Sequence, residues 1–361
     1  MRADSAATPS DSTIWYSPWE APFKIYGMGW RFADNSFRRM PLVSSEAPLP
    51  KSVDDLAWHT SGIQIRFRTD ALKVCVRVKL KGSHSMDHMP PTGQCGIDAY
   101  IGEVGSMTFA GISRFNRAND SYEVTLCNFP SKSRRTITLN LPLYQGVDDL
   151  MIGIPEGNLA YAAPRPKLRS PVVIYGTSIT QGGCASRPGM SYTNILSRRL
   201  DCEFINLGFS GSGHGEPEVA RAIASLKAPA IFVMDYEANA CGLDKMKETL
   251  SPFLTILREK WPDTEILVVS KVPYAQEAWN EKQRIDRLAQ RDYQRRTVGL
   301  MRRGGDTHIS FFDGSVLLGR DYTECSVDGV HQTDLGFLRM ANKFEPVIRK
   351  LLEKEWLPWD R

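Results

Sequence analysis

The chain has 361 residues, 42% of them apolar and 24% charged, a balance that excludes intrinsic disorder and suffices for two domains with separate cores. Its 45 basic and 41 acidic residues are spread along the whole sequence, so no basic arm or stripe points to nucleic acid. No apolar run reaches the roughly 18 to 20 residues that span a bilayer, and the first twenty residues lack the apolar core of a signal peptide.

Residues 15–37 are crowded with aromatics, among them Trp15, Trp19, Phe23, Trp30 and Phe37, which are expected to pack across the two domains, a sugar-stacking platform being the alternative. From about residue 60 to 155 the sequence alternates apolar and polar, as in Ile63-Gln-Ile-Arg-Phe-Arg68, Leu72-Lys-Val-Cys-Val-Arg-Val78, Tyr122-Glu-Val-Thr-Leu126 and Thr136-Ile-Thr-Leu-Asn-Leu141. A period of two broken by Gly/Pro turns predicts short antiparallel strands with one wet face, and so an N-terminal β-sandwich of jelly-roll type over residues 1–165. His84-Ser-Met-Asp87-His88 falls in a Gly/Pro-rich loop with no helix to align its histidines, so no metal site is expected there.

A proline-rich basic stretch, Ala162-Ala-Pro-Arg-Pro-Lys-Leu-Arg-Ser-Pro171, has the composition of a linker. Beyond it, unalternating apolar runs at 172–175, 203–206, 230–234 and 266–270 are followed by helical segments at 190–200, 216–226, 244–260 and 277–303. Buried strands trailed by helices predict an α/β domain, a doubly wound parallel sheet over 166–361, with its ligand site at the carboxyl ends of the strands. An amphipathic helix is expected near 337–353. The seven cysteines are odd in number and show no CxxC or metal-ligand spacing, which predicts free thiols.

The first parallel strand ends in Tyr175-Gly-Thr-Ser178-Ile-Thr-Gln-Gly182, which puts a serine on a sharp turn at the rim of the sheet. Thr180 stands where the G-x-S-x-G elbow of α/β-hydrolases needs its second Gly, so a catalytic Ser178 calls for another layout. A serine hydroxyl also needs a base, and the base needs an orienting group. Asp328-Gly-Val-His331, just ahead of the C-terminal helix, carries a carboxylate and an imidazole three residues apart on one loop.

In their order, these blocks resemble the SGNH or GDSL-like hydrolases. Gly-Thr-Ser178-Ile-Thr is similar to the family's first block, with Thr177 where Asp is usual, and Asn206-Leu-Gly208-Phe-Ser-Gly is similar to the Gly block. Asp328-Gly-Val-His331 matches the last block, and Asn239 is the amide nearest the end of the third strand, where the Gly of the usual Gly-x-Asn-Asp is missing. The resemblance implies Ser178 as nucleophile, His331 as base and Asp328 as its orienter. It further implies an oxyanion hole from the Ser178 and Gly208 N–H groups and the Asn239 amide. His214 is read as a loop histidine without a role.

A β-sandwich ahead of such a domain is similar to two-domain carbohydrate esterases, which implies a serine esterase removing a small acyl group, an acetyl, from a carbohydrate. An acyltransferase using the same acyl-enzyme and a non-catalytic carbohydrate-binding protein stay open as alternatives. The expected partner is a small-molecule or oligosaccharide ester, with no cofactor, no metal, no nucleic acid and no membrane. As given, the chain reads as cytoplasmic, or as secreted or periplasmic if a leader was trimmed.

Overall fold

Strand β4 (Lys73–Leu80) shows how the N-terminal half is built: Val74, Val76, Val78 and Leu80 are buried, while Arg77 and Lys79 point to solvent. The computed structural model describes residues 12–42 and 48–355; the start of the chain, used above in reading its N-terminus, lies outside them up to residue 11. In chain order the N-terminal elements are β1 (Thr13–Tyr16), β2 (Lys24–Tyr26), α1 (Lys51–Leu56), β3 (Gln64–Thr69), β4, α2 (Pro91–Gln94), β5 (Asp98–Ile101), β6 (Thr108–Ile112), β7 (Ser121–Asn128), β8 (Arg135–Asn140), β9 (Val147–Pro155) and β10 (Ala160–Tyr161). They form two antiparallel sheets, ordered β1-β9-β4-β7 and β10-β3-β8-β5-β6, with β2 added on β3. The inner faces enclose one core, including Ile65, Phe67, Val76, Ile137, Leu139 and Ile152.

The wet face expected of every strand holds for β4 and fails for the second sheet. There the outward residues Gln64, Arg66, Asp98, Thr138 and Asn140 are buried as well. The other half of the protein covers them and supplies partners to several, while Arg66 Nε and Thr138 Oγ1 have none among the described residues. Asp98 accepts from Asn140 Nδ2 at 2.7 Å, from Arg187 at 2.8 Å and from the Gly189 N–H at 2.8 Å, and Gln64 Nε2 donates to Ser197 Oγ at 2.9 Å. Burying such groups without partners would cost several kcal/mol, so polarity here signals a domain junction and not solvent.

The C-terminal half comprises β11 (Val172–Gly176), α3 (Ser178–Gln181), α4 (Tyr192–Arg199), β12 (Phe204–Gly208), α5 (Pro217–Ala224), β13 (Ile231–Asp235), α6 (Leu243–Lys260), β14 (Glu265–Val269), α7 (Glu281–Arg303), β15 (Ile309–Phe312) and α8 (Asp334–Glu355). Its strands pair in parallel in the order β12-β11-β13-β14-β15. Alternate residues of each strand feed opposite cores. Val172, Ile174, Ile231 and Val233 pack with Leu196, Phe337 and Phe344 of α4 and α8. Val173, Tyr175, Phe232 and Met234 pack with Val219, Phe253 and Val298 of α5, α6 and α7. Both faces are thus covered, which is why these strands read as unbroken apolar runs.

Two features depart from the sequence reading. The long helix begins at Glu281, because Asn280 caps it by accepting from the Gln283 N–H, and Ala275–Ala278 form a separate 3-10 turn. The edge strand β15 is only four residues long, too short to register as a period. Met40, Leu49, Val53 and Ala57, on and around α1, pack into the second core of the α/β half although they lie between sandwich strands β2 and β3 in sequence.

Candidate active site

Strand β11 stops where Gly176 passes so close to its neighbours that a Cβ would lie 2.1 Å from Thr180 Oγ1 and 2.5 Å from the Asp235 carbonyl oxygen. Thr177 then caps the single turn α3, its hydroxyl accepting from the Ile179 N–H, and Ser178 opens the turn. Thr180 and Tyr192 donate to the Asp235 carboxylate at the end of β13, which ties the turn to the adjacent strand. The Ser178 carbonyl accepts from the Gly183 N–H at 2.8 Å and from the Tyr144 hydroxyl at 3.0 Å. Tyr144 belongs to the N-terminal half, as does Ser61, which donates to the Gln181 carbonyl at 2.6 Å. The serine is therefore clamped from both halves.

Its side chain is 7% exposed and its Oγ stands 2.9 Å from His331 Nε2. The other ring nitrogen, Nδ1, lies 2.7 Å from Asp328 Oδ2, while Asp328 Oδ1 accepts from the Val330 and His331 N–H groups at 2.9 and 2.7 Å. Partial burial alone would raise the Asp328 carboxyl, but these hydrogen bonds outweigh it and hold the group down to about 2. An ionised Asp328 fixes the tautomer with Nδ1–H, leaving the Nε2 lone pair toward the serine. Cys184, nearby, is no rival nucleophile: burial, with the Asp328 charge adding to it, pushes its thiol up to about 12.

The oxyanion donors expected from the sequence are less evenly placed. Gly208 ends β12 with its N–H already donating to Asn206 Oδ1 at 2.9 Å, so the structure does not leave this group for an incoming oxyanion. Three residues on, Gly211 takes the left-handed position, φ +66°, of a turn closed by the Ser212 N–H on the Phe209 carbonyl. A Cβ there would meet nothing within 4 Å, and among the described residues its N–H, like that of Ser178, meets no acceptor. Ser210-Gly211 was present in the Gly block; only the side-chain bond from Asn206 separates the two glycines.

Asn239 closes a 3-10 turn, Glu237–Asn239, just beyond β13. Glu237 anchors the turn by accepting from the Lys271 N–H at 2.9 Å and Gln294 Nε2 at 2.6 Å, and His214 Nδ1 lies 2.6 Å from the Asn239 carbonyl oxygen. His214 thus has a structural partner. The Asn239 side chain is left with no hydrogen bond among the described residues.

The strand that carries Gly208 is held from the N-terminal half by Arg39. Fully buried and without a carboxylate, this guanidinium donates to the carbonyls of Asn206 (3.1 Å), Gly208 (2.7 Å), His59 (2.6 Å) and Leu56 (2.9 Å). Burial brings its pKa down to about 9, which still leaves it charged at neutral pH. Arg39→Leu should cost more than about 2 kcal/mol, since the buried carbonyls of Asn206 and Gly208 and the part-buried ones of His59 and Leu56 all lose a charged donor. Urea unfolding of the variant checks this, and a loss below about 0.5 kcal/mol would contradict it.

Loop 81–90 of the N-terminal half also arrives here. His88 stands with its ring 5.7 Å from that of His331, and one ligand atom each from His88, Cys184 and His331 fall within 4.8 Å of one another. The sequence reading, which expected no metal site, saw His88 only beside His84 and had no means of placing it against the C-terminal loop. All seven cysteines are free thiols, and no helix among the described residues is long and apolar enough to cross a membrane.

A parallel sheet in this order, with a serine after its first strand and a D-x-x-H loop before its last helix, defines an SGNH-type hydrolase fold joined to an antiparallel sandwich. Residues 169–349 match the GDSL-like lipase/acylhydrolase family, and the chain belongs to it; residues 13–159 match the N-terminal region described for SGNH-hydrolase-type esterases. A Bacteroides ovatus protein described as a GDSL-like lipase is 29% identical, with a TM-score of 0.86 over 95% of this chain and 98% of its own. A salicylyl-acyltransferase of a tetracycline biosynthetic pathway is 19% identical, with a TM-score of 0.75 over 94% of this chain and 97% of its own. A family two carbohydrate esterase from Clostridium thermocellum, solved with cellohexaose, is 16% identical, with a TM-score of 0.58 over 81% of this chain and 93% of its own. No curated protein matches.

Proposed function

We propose that the chain is a serine esterase that removes a small acyl group, an acetyl, from a carbohydrate through an acyl-Ser178 intermediate. The observation that carries this reading is the continuous path Ser178 Oγ, His331 Nε2, His331 Nδ1, Asp328 Oδ2, with steps of 2.9 and 2.7 Å across the ring. Ser178 gives its proton to His331 as it attacks the ester carbonyl, His331 passes that proton to the departing sugar alcohol, and water repeats the sequence to release the acid. The Ser178 and Gly211 N–H groups and the Asn239 amide receive the oxyanion. Gly208 has a supporting part: its carbonyl receives Arg39 and its N–H closes on Asn206. Carbohydrate esterases among the structural neighbours support the sugar half of the reading.

Acetate release from a panel of acetylated sugars and oligosaccharides tests it. The expected result is turnover that does not depend on an added sugar acceptor; acyl transfer to the acceptor without free acetate would replace the esterase by an acyltransferase.

Asn239→Ala should lower kcat by about 10²- to 10³-fold with KM little changed, because an oxyanion donor strengthens mainly in the transition state. Steady-state kinetics and a melting curve on the same sample check this. A destabilised variant with undiminished kcat would reduce Asn239 to a turn residue.

A further inference from the structure

We propose that His88, Cys184 and His331 form a site for a borderline-soft divalent cation such as Zn²⁺, and that the bound cation stops turnover by taking the lone pair of His331. The second half of this proposal rests on His331 being the base described above; the first half does not.

Two imidazoles and a thiolate, the latter formed as the cation displaces the Cys184 S–H proton to solvent, are the ligand set that Zn²⁺ takes in preference to Mg²⁺ or Ca²⁺. Around a tetrahedral Zn²⁺, with Zn–N of about 2.0–2.1 Å and Zn–S of about 2.3 Å, such atoms stand roughly 3.3–3.6 Å apart. The three ligand atoms here already lie within 4.8 Å of one another, so closure asks for side-chain adjustment only.

Both histidines are prepared in the same way. His331 has Nδ1 against Asp328 at 2.7 Å and His88 has Nδ1 against Asp87 at 3.0 Å, so each ring is set to offer Nε2. A carboxylate on the far nitrogen of a histidine is the arrangement that orients metal-ligating imidazoles and raises their basicity. For His331 the pairing also serves catalysis. For His88, on a loop of the other half of the chain, no catalytic step uses it.

Cys184 supplies the third ligand from a backbone at φ +73°, a left-handed conformation that a residue other than Gly rarely adopts. Its sulfur makes no hydrogen bond among the described residues. Three protein ligands leave a fourth position for water. The cation would bridge the two halves of the protein, and Ser178 would lose the acceptor for its proton.

Co²⁺ serves as the spectroscopic probe for binding and Zn²⁺ for inhibition. The wild-type protein should take up one Co²⁺ with a thiolate-to-cobalt charge-transfer band, and Cys184→Ser should lose that band. His88→Gln, on an exposed loop where folding is not at risk, should weaken Co²⁺ binding at least about tenfold. Zn²⁺ should abolish ester turnover by the wild type, a chelator should restore it, and His88→Gln should keep its basal turnover yet need at least about tenfold more Zn²⁺ for the same inhibition. Absence of the band in the wild type, or equal Zn²⁺ sensitivity of His88→Gln and wild type, would overturn the proposal. If the metal-free wild type turns over no ester at all, the esterase reading fails, and the Co²⁺ titration alone still decides the cation site.

Discussion

Ser178→Ala and His331→Ala should each lower kcat by about 10⁴- to 10⁶-fold while the melting temperature stays near that of the wild type. In the proposed mechanism nucleophile and base work as one unit, so removing either forfeits nearly the whole contribution of the pair. What remains is the rate that binding and the oxyanion donors supply by themselves. Neither change disturbs the fold: the clamps on α3 run through the Ser178 carbonyl, which Ser178→Ala retains, and Asp328 keeps its bonds from the Val330 and His331 N–H groups when the ring is lost. The double variant should be no slower than either single one, within about threefold. Stopped assays with an activated acetyl ester at high enzyme concentration measure this, and near-normal turnover in either variant would remove the mechanism.

Asp328→Asn should lower kcat by about 10³- to 10⁴-fold, less than the loss of His331 itself. In the proposed mechanism the carboxylate stays ionised throughout; it fixes the tautomer of the base and stabilises the imidazolium formed as Ser178 attacks. An amide in its place can still accept from the Val330 and His331 N–H groups, so the loop should hold its shape. It cannot both do so and accept from Nδ1 with the same strength, and the Nε2-protonated tautomer, useless as a base, becomes competitive. Because Asp328 is held down to about 2, its folded form is favoured by ionisation above the ordinary carboxylate range, and that stability is lost only as pH falls from about 4 through about 2. No limb of the pH–rate profile above about pH 4 should therefore belong to it. Kinetics of Asp328→Asn from pH 5 to about 9 test the point, and wild-type kcat would shift attention to another acid such as Asp334, which here accepts from the Ser186 N–H at 2.8 Å.

How much of this was legible in the sequence follows from the range of each interaction. Ser178 opens the turn that follows a buried strand, and Asp328 and His331 share one loop, so their local patterns and chain order suffice to propose the three together. Gly208 and Gly211 sit three apart in one block, and the choice between them turns on an Asn206 side chain folding back onto its own strand, which no spacing reveals. The buried outer face of the second sheet reads as polar alternation in Gln64 and Arg66, indistinguishable from a wet face until Ser197 is placed on Gln64, and Arg187 and Gly189 on Asp98. His88 belongs with His331 only through the meeting of the two halves, a contact spanning most of the chain.

Tyr144 and Ser61 on the nucleophile's turn and Arg39 on the carbonyls of the neighbouring strand bear on heredity as much as on chemistry. A module that borrows the rigidity of its own reactive turn from another stretch of polypeptide cannot be shuffled between genes by itself. A recombination event that delivered residues 166–361 to a new partner would bring the serine, histidine and aspartate intact, yet leave their loops unbraced. For this architecture the inheritable unit is the pair.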